Sequence, residues 1–512
     1  MLSRKKKDFA NGDDVVKALF FAPSISFEIT ALINCFLTTF RDISDLHILH
    51  TSIIFRGMKI FFKPAIKILC FMSFAVFAFS CKGKAVKEPA FNNPMAEAFL
   101  TAQKSDTEKS KKTVSEEKIE EPAPVTEVNP LEVISFNRTN AVVDTNTKNF
   151  KQITAMELVR DMKTGWNLGN TFDATGGGKG LESEMSWGQP KTTKAMIDGL
   201  AASGIKTIRI PVSWSRHIVD NNYTISTAWM KRVKEVVDWA IEDDMYVVLN
   251  IHHDNYEKNA KMPRFSGFYP TDENYEESAK FVCNTWAQIA LAFNNGYDEH
   301  LVFEVLNEPR LCGTSEEWYY NAVSQKSISA MKNLNKLTQN ILDVIRASGG
   351  NNKLRMVAVP SLQASPESAL NPAFKMPKDY DGSKDRLIVS VHMYTPYNFA
   401  MESPGIKVYS DNVKKEFTSM FKKLNDHFIA NGYAVYIGEY GATNKNNLED
   451  RLAWFHDFIK ESRAYGMPCF LWDNAVWKVE GDKYDEHYGY YNRHNQTWYF
   501  PEIINAINEE TK

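Results

Sequence analysis

The sequence predicts an α/β protein, a (β/α)8 (TIM) barrel forming one folded domain behind an N-terminal leader and tether. Three observations predict it. Short apolar runs of strand length recur eight times between residues 165 and 475. Amphipathic stretches of helical period lie between them, the strand–helix alternation of a parallel barrel. Within each run the apolar half comes first and the polar or aromatic residues come last. A barrel opens all its strand C-termini onto one face, so those residues are expected to meet although they lie far apart in sequence. A doubly wound sheet is the competing architecture. It wants a Gly-rich phosphate loop after its first strand, and GWNLGN lacks that spacing.

The elements follow in order. GWNLGNTF (165–172) carries Asn167 and Asn170 and leads to Asp173, and IKTIRIPV (205–212) carries Arg209. In TAWMKRVKEVVDWAIEDD, Trp229, Val233, Val236, Val237, Ala240 and Ile241 share one helical face. YVVLNIHHD (246–254) ends in His252 and His253. Neighbouring strand residues face opposite ways, so His252 is expected inward and His253 at the loop edge. LVFEVLNEP (301–309) ends with Asn307 and Glu308. QKSISAMKNLNKLTQNILDVIRASGG is helical in period and closes on a Gly pair, a helix stop. Next come LRMVAVPS (354–361), LIVSVHMYTP (387–396) with His392 and Tyr394, and AVYIGEYGA (434–442) with Glu439. CFLWDNA (469–475) carries Trp472, and the Asp473-Asn474 pair after it predicts an exposed mouth.

The N-terminus reads differently. From Met58, MKIFFKPAIKILCFMSFAVFAFSC has a short basic region, an apolar stretch and small residues before Cys81, a secretory signal layout over 58–81. Its end resembles a bacterial lipoprotein cleavage site, which implies cleavage before Cys81 and a lipid on its thiol. Residues 1–57 have no place upstream of a signal peptide and are read as a non-native or unstructured extension. Residues 82–149 are charged, Pro-bearing and poor in aromatics, so they are read as a disordered linker. The folded domain is then 150–512. A monomer at a bacterial envelope is expected, touching membrane only through the lipid anchor.

Composition excludes some classes. The chain of 512 residues has a formal net charge of −3, and no basic stripe suggests nucleic acid. Cys283, Cys312 and Cys469 of the folded part are an odd set. Cys283 in a helical run and Cys469 opening a strand read as small buried hydrophobes. No disulfide, no metal site and no cofactor is expected, since no Cys/His spacing supports one.

Two glutamates carry the chemistry. Glu308 and Glu439 each surface at the end of a greasy run, where desolvating a carboxylate is costly. Two such acids brought to one face match the paired carboxylates of glycoside hydrolysis, the alternative being two salt-bridged strand-end acids. The run of motifs GWNLGNTFDA, IRIPVSW, LNIHHD, NEPR, VHMYTP, IGEYGA and FLWDNA resembles glycoside hydrolase family 5, clan A, in the right order over the whole folded part. The GNTFDA and LWDNA versions resemble the branch of endoglucanases, xyloglucanases and some xylanases.

The resemblance implies a retaining endo-β-1,4-glucanase acting on β-glucan by double displacement, with Glu308 as acid/base and Glu439 as nucleophile. Xyloglucanase, mannanase or xylanase activity on the same fold stays open, as does a non-catalytic glycan-binding lipoprotein. Arg209 can hold Glu439 ionised, Tyr394 can donate to it, and Asn307 suits a sugar 2-hydroxyl. His252, His253 and His392 are assigned to sugar hydroxyls or to tuning Glu308, Trp472 to stacking on the sugar, and Asn167, Asn170 and Asp173 to substrate contact. Trp187, Trp318 and Trp477 are candidate outer platforms. After HHD the family usually places a Trp; here Phe265, Phe268 or Tyr269 is expected to substitute.

Overall fold

The computed structural model describes residues 127–178, 180–256, 267–479 and 486–512. Cys81, the signal segment and Phe265 lie outside them. Eight parallel strands close a barrel in sequence order: β1 (Thr164–Asn167), β2 (Thr207–Ile210), β3 (Tyr246–Asn250), β4 (Leu301–Glu304), β5 (Val357–Pro360), β6 (Leu387–His392), β7 (Ala434–Tyr440) and β8 (Cys469–Leu471). The long helices are α1 (Ala155–Asp161), α2 (Lys194–Ala202), α3 (Thr227–Glu242), α4 (Tyr275–Ala292), α5 (Gln325–Ala347), α6 (Asp411–His427), α7 (Leu448–Ala464) and α8 (Pro501–Glu510). Between β5 and β6 the helical part shrinks to a 3-10 turn (Leu362–Ala364) and the single α-turn Pro366–Ala369.

Period-two alternation sorts the strands, up to a register shift late in β7. On β3, Val247 and Leu249 pack outward against the helices, while Tyr246 and Val248 fill the barrel. Val302, Ala358, Ile388, Tyr436 and Phe470 join them inside, and Leu158, Val159 and Met162, in and just after α1, pack into the same interior cluster. Capping boxes such as the one at Thr154, whose hydroxyl accepts from the Glu157 amide while Glu157 accepts from the Thr154 amide, start α1 cleanly. On α3 the expected face is buried except Ile241, which is half-covered.

The linker ends earlier than the sequence implies. Phe136 is buried against the domain, and the Ser135 and Phe136 amides both donate to Asn284 Oδ1 on α4 (2.7 and 3.0 Å). Further along, the Asp144 amide donates to Leu291 O at 2.8 Å and the Lys148 amide to Asn295 O at 2.6 Å. A stretch too polar to fold by itself is thus held by hydrogen bonds from its amides to α4 and to the segment just after it. Phe268 and Tyr269 are buried, so neither is a sugar platform; the Tyr269 hydroxyl donates to Cys312 O. Cys283 and Cys469 are buried, Cys312 is half-buried, and all three are unpaired.

Candidate active site

The top interior layer of the barrel is polar, and Arg209 organises it. Alternation aims this residue inward from β2, above Thr207, where it is fully buried. Its Nε and Nη2 reach Glu304 Oε2 (2.8 and 2.7 Å), and Nη1 reaches Glu439 Oε1 (2.8 Å). Nη1 also donates to Asn167 Oδ1 (2.9 Å) and Nη2 to Asn307 Oδ1 (2.7 Å). Burial opposes the guanidinium's charge, but Glu304 and then Glu439 more than offset it, so Arg209 is held above its ordinary value.

Glu304 was not singled out in the sequence. It ends β4, and its carboxylate also accepts from Ser390 Oγ (2.6 Å), Tyr436 Oη (2.9 Å) and Asn250 Nδ2 (2.9 Å). The signal that finds it is parity: Glu304 lies two residues from the inward Val302, inside an apolar run. Burial pushes this carboxyl up, yet Arg209 and His392 outweigh it and keep Glu304 below the ordinary value.

Glu308 lies four residues beyond the end of β4, not on the strand as the sequence suggested. His392 Nδ1 is 2.8 Å from its Oε1 and 3.6 Å from Glu439 Oε2. With Arg209 Nη2 facing Nε2 at 3.4 Å, the tautomer carrying its proton on Nδ1 fits both neighbours. A carboxylate oxygen of Glu308 and one of Glu439 lie within 4.8 Å of each other. Tyr394 Oη donates to Glu439 Oε2 at 3.0 Å. Burial raises Glu439, against His392 and Arg209. For Glu308 burial is overcome by the hydrogen bond and charge of His392 and by Arg310, so its carboxyl is lowered. His392 itself is raised, Glu439 and Glu308 prevailing over burial.

The remaining expected residues divide. His252 is buried and its ring is parallel to Trp472 (interplanar 2°, centroids 6.0 Å apart), while His253 is half-buried beside Trp187 (5.5 Å), as the alternation implied. Burial pushes His252 well down, and burial with Arg310 pushes His253 down to about 4, so both are neutral hydrogen-bonding rings. Asn170 is half-buried with a left-handed backbone (φ 56°). Asn167 and Asp173 are not free for substrate. Asn167 gives its oxygen to Arg209 and its Nδ2 to Gly438 O and Phe470 O (both 3.0 Å). Asp173 is buried and accepts from the Asn170 and Thr171 amides (3.0 and 2.6 Å).

Asp473 and Asn474 are buried too, which corrects the exposed mouth. Asp473 accepts from Trp166 Nε1 (2.9 Å) and the Tyr491 amide (2.8 Å), locking the loop that carries Trp472. Trp318 is 61% exposed and stacks under Arg310 (4.4 Å), Trp187 is partly exposed, and Trp477 has one face taken by Tyr499 (4.6 Å).

A barrel whose C-terminal face holds two nearby carboxylates, one held by an arginine and a tyrosine, has the constellation that retaining glycoside hydrolysis needs. The family description Cellulase (glycosyl hydrolase family 5) matches residues 169–476, and the chain belongs to that family. It is 40% identical over 370 residues to Endoglucanase B of Ruminococcus albus, covering 72% of this chain and 83% of that protein. Endoglucanase 1 of the same organism is 41% identical over 371 residues, with 72% and 84% covered. Among solved structures, the family 5 lichenase of Caldicellulosiruptor sp. F32, a mutant in complex with cellotetraose, is 38% identical with a TM-score of 0.65, covering 73% of this chain and 99% of that one. A broad-specificity endoglucanase of Ruminococcus champanellensis with bound cellotriose is 36% identical with a TM-score of 0.64, covering 70% and 99%. The chain is a glycoside hydrolase of the endo-β-1,4-glucanase type.

Proposed function

We propose that this enzyme cleaves β-1,4-linked glucan chains internally with retention of configuration, Glu308 acting as acid/base and Glu439 as nucleophile. The observation that carries the reading is the approach of their carboxylate oxygens to within 4.8 Å. Retaining enzymes hold the two groups about 5–5.5 Å apart, while inverting enzymes need roughly 6.5–9.5 Å to admit a water. Glu308 gives its proton to the glycosidic oxygen as Glu439 attacks the anomeric carbon, breaking the C–O bond and forming a glycosyl-enzyme. Glu308, now ionised, takes a proton from water as that water displaces Glu439.

The two carboxyls titrate as a pair. His392 favours the anion on Glu308, whereas the working form needs the proton there. A bound glycosidic oxygen can only accept, so seating it against Glu308 favours the protonated acid. Arg209 and Tyr394 both donate to Glu439 and receive the anion there. Asn307 Oδ1 accepts from Arg209, which leaves its Nδ2 as the half able to donate to a sugar hydroxyl.

The test is a 2-deoxy-2-fluoro-cellobioside with a good leaving group, which traps the glycosyl-enzyme. Peptide mass should place the label on Glu439, and proton NMR of cellotetraose hydrolysis should show the β-anomer first. A label on Glu308, or the α-anomer first, overturns the assignment. The lichenase and cellotriose complexes among its relatives support β-glucan oligosaccharides as ligands. The anchor rests on the sequence alone: Cys81 is proposed to carry lipid at the cell envelope, with the enzyme monomeric beyond it. Cys81→Ala should move activity from the membrane fraction to the soluble one, and retention in the membrane refutes the anchor.

A further inference from the structure

Arg209 is the one cation that reaches Glu439 within hydrogen-bond distance among the described residues, and it does not belong to Glu439 alone. Two of its nitrogens converge on Glu304 Oε2, and a third serves Glu439. Glu304 is fully buried and receives donors from four directions: Arg209 on β2, Asn250 on β3, Ser390 on β6 and Tyr436 on β7. Surrounded by donors, the carboxylate has no neighbouring acceptor for a proton unless a hydroxyl turns round, so this site stabilises the anion. An ion buried this deep in a barrel is costly to desolvate, and a well-packed apolar residue would serve stability as well. A reason for its charge lies in the reaction.

We propose that Glu304 is a positioning residue that divides the Arg209 guanidinium between two carboxylates and thereby keeps Glu439 a basic nucleophile. Arg209 bound to Glu439 alone would hold that anion tightly and make it a poor attacker. With Glu304 taking two of the contacts, Arg209 still orients Glu439 but neutralises it less. Ser390 and Tyr436, by donating to Glu304, limit how strongly it draws on Arg209. The other charged or titratable groups facing Glu439 are Glu308, beyond β4, and His392 and Tyr394, on and after β6. All three remain in place in the variants below.

The inference rests on Glu439 being the nucleophile, and one reagent reads both claims. With a dinitrophenyl leaving group, inactivation by the fluoro-cellobioside needs no proton from Glu308, so its pH dependence follows ionisation of Glu439. In Glu304→Gln, which keeps the shape and removes the charge, the midpoint of that profile should fall by about one pH unit, as expected for loss of a like charge sharing one cation. The maximal inactivation rate should fall with it. In Tyr436→Phe, which removes a donor to Glu304, the midpoint should move the other way. A midpoint unmoved in both variants, or moved upward in Glu304→Gln, overturns the proposal whatever happens to the rate. If Glu304→Gln does not fold, Tyr436→Phe and Ser390→Ala decide it, since an unmoved midpoint in both refutes the proposal. A label found elsewhere than Glu439 in the unmutated enzyme instead refutes the assignment beneath it.

Discussion

Replacing Arg209 by Lys keeps a positive charge at the centre of the site and removes the fork that distributes it. The guanidinium makes five contacts of 2.7–2.9 Å to four side chains: Glu304, Glu439, Asn167 and Asn307. An ammonium offers three donors from a single point, and the two carboxylates will claim them. The amide oxygens of Asn167 and Asn307 then lose their partner in a place where water hardly reaches, both side chains being buried. Each buried acceptor left unpaired costs about 1–3 kcal/mol, so the variant should lose about 2–4 kcal/mol once some relaxation is allowed. Catalysis should suffer more than stability. Asn307 is no longer aimed, and Glu439 loses a directional bond. A displacement of about 1 Å at reacting atoms is enough for a 100-fold loss, so kcat/KM on aryl cellobiosides should fall by about that factor or more. Urea denaturation at pH 7 and steady-state kinetics measure the two effects. A variant within about 1 kcal/mol of the parent, and within about fivefold of its kcat/KM, would show that charge alone, not the fork, organises the site.

Glu308→Ala should lose hydrolysis of cellotetraose by about 100- to 10,000-fold while still forming the glycosyl-enzyme from dinitrophenyl cellobioside, whose leaving group needs no proton. Azide should then restore turnover and give the β-azide; an α-azide contradicts the acid/base role. Trp318→Ala removes an exposed ring braced by Arg310 next to Glu308, and should raise KM for cellotetraose or cellopentaose several-fold while leaving hydrolysis of aryl cellobiosides unchanged. Equal effects on both substrates would mean that the ring acts on the acid and not on a sugar.

The barrel was legible because each strand states its own polarity. Alternation inside a closed sheet leaves one parity for the interior, and the polar residues concentrate at one end, as Asn167, Arg209, Asn250, Glu304 and His392 do. What alternation did not reveal is which polar residues face substrate and which satisfy the backbone. Asn167, Asp173 and Asp473 look alike in sequence to a sugar contact, yet each spends its atoms on carbonyls, amides or Arg209. Buried loops at the strand ends need such partners as much as a ligand does. Glu304 escaped for the opposite reason. LVFEVLNEP reads as one strand with its acid at the tip, but pairing stops at Glu304 and the chain carries Glu308 four residues further.

Glu439 shows where parity fails and why the failure is useful. Counting from the inward Tyr436 on β7, position 438 should face the interior and Glu439 the helices. The pairing with β6 slips between Val391 and His392, so that Val391 meets Ile437 and His392 meets Glu439, leaving Gly438 as the extra residue of a bulge. A bulge re-aims the side chain that follows it. This one turns Glu439 back onto Arg209 and Tyr394. Glycine suits the position, since a Cβ on Gly438 would lie 3.1 Å from Ser390 Oγ and 3.2 Å from His392 Nε2, and those side chains would have to give way by a few tenths of an ångström. The freed Gly438 carbonyl accepts from Asn167, whose oxygen in turn accepts from Arg209. The bulge therefore does two things at once. It swings the nucleophile into the barrel mouth, and it leaves room for His392 to reach both carboxylates.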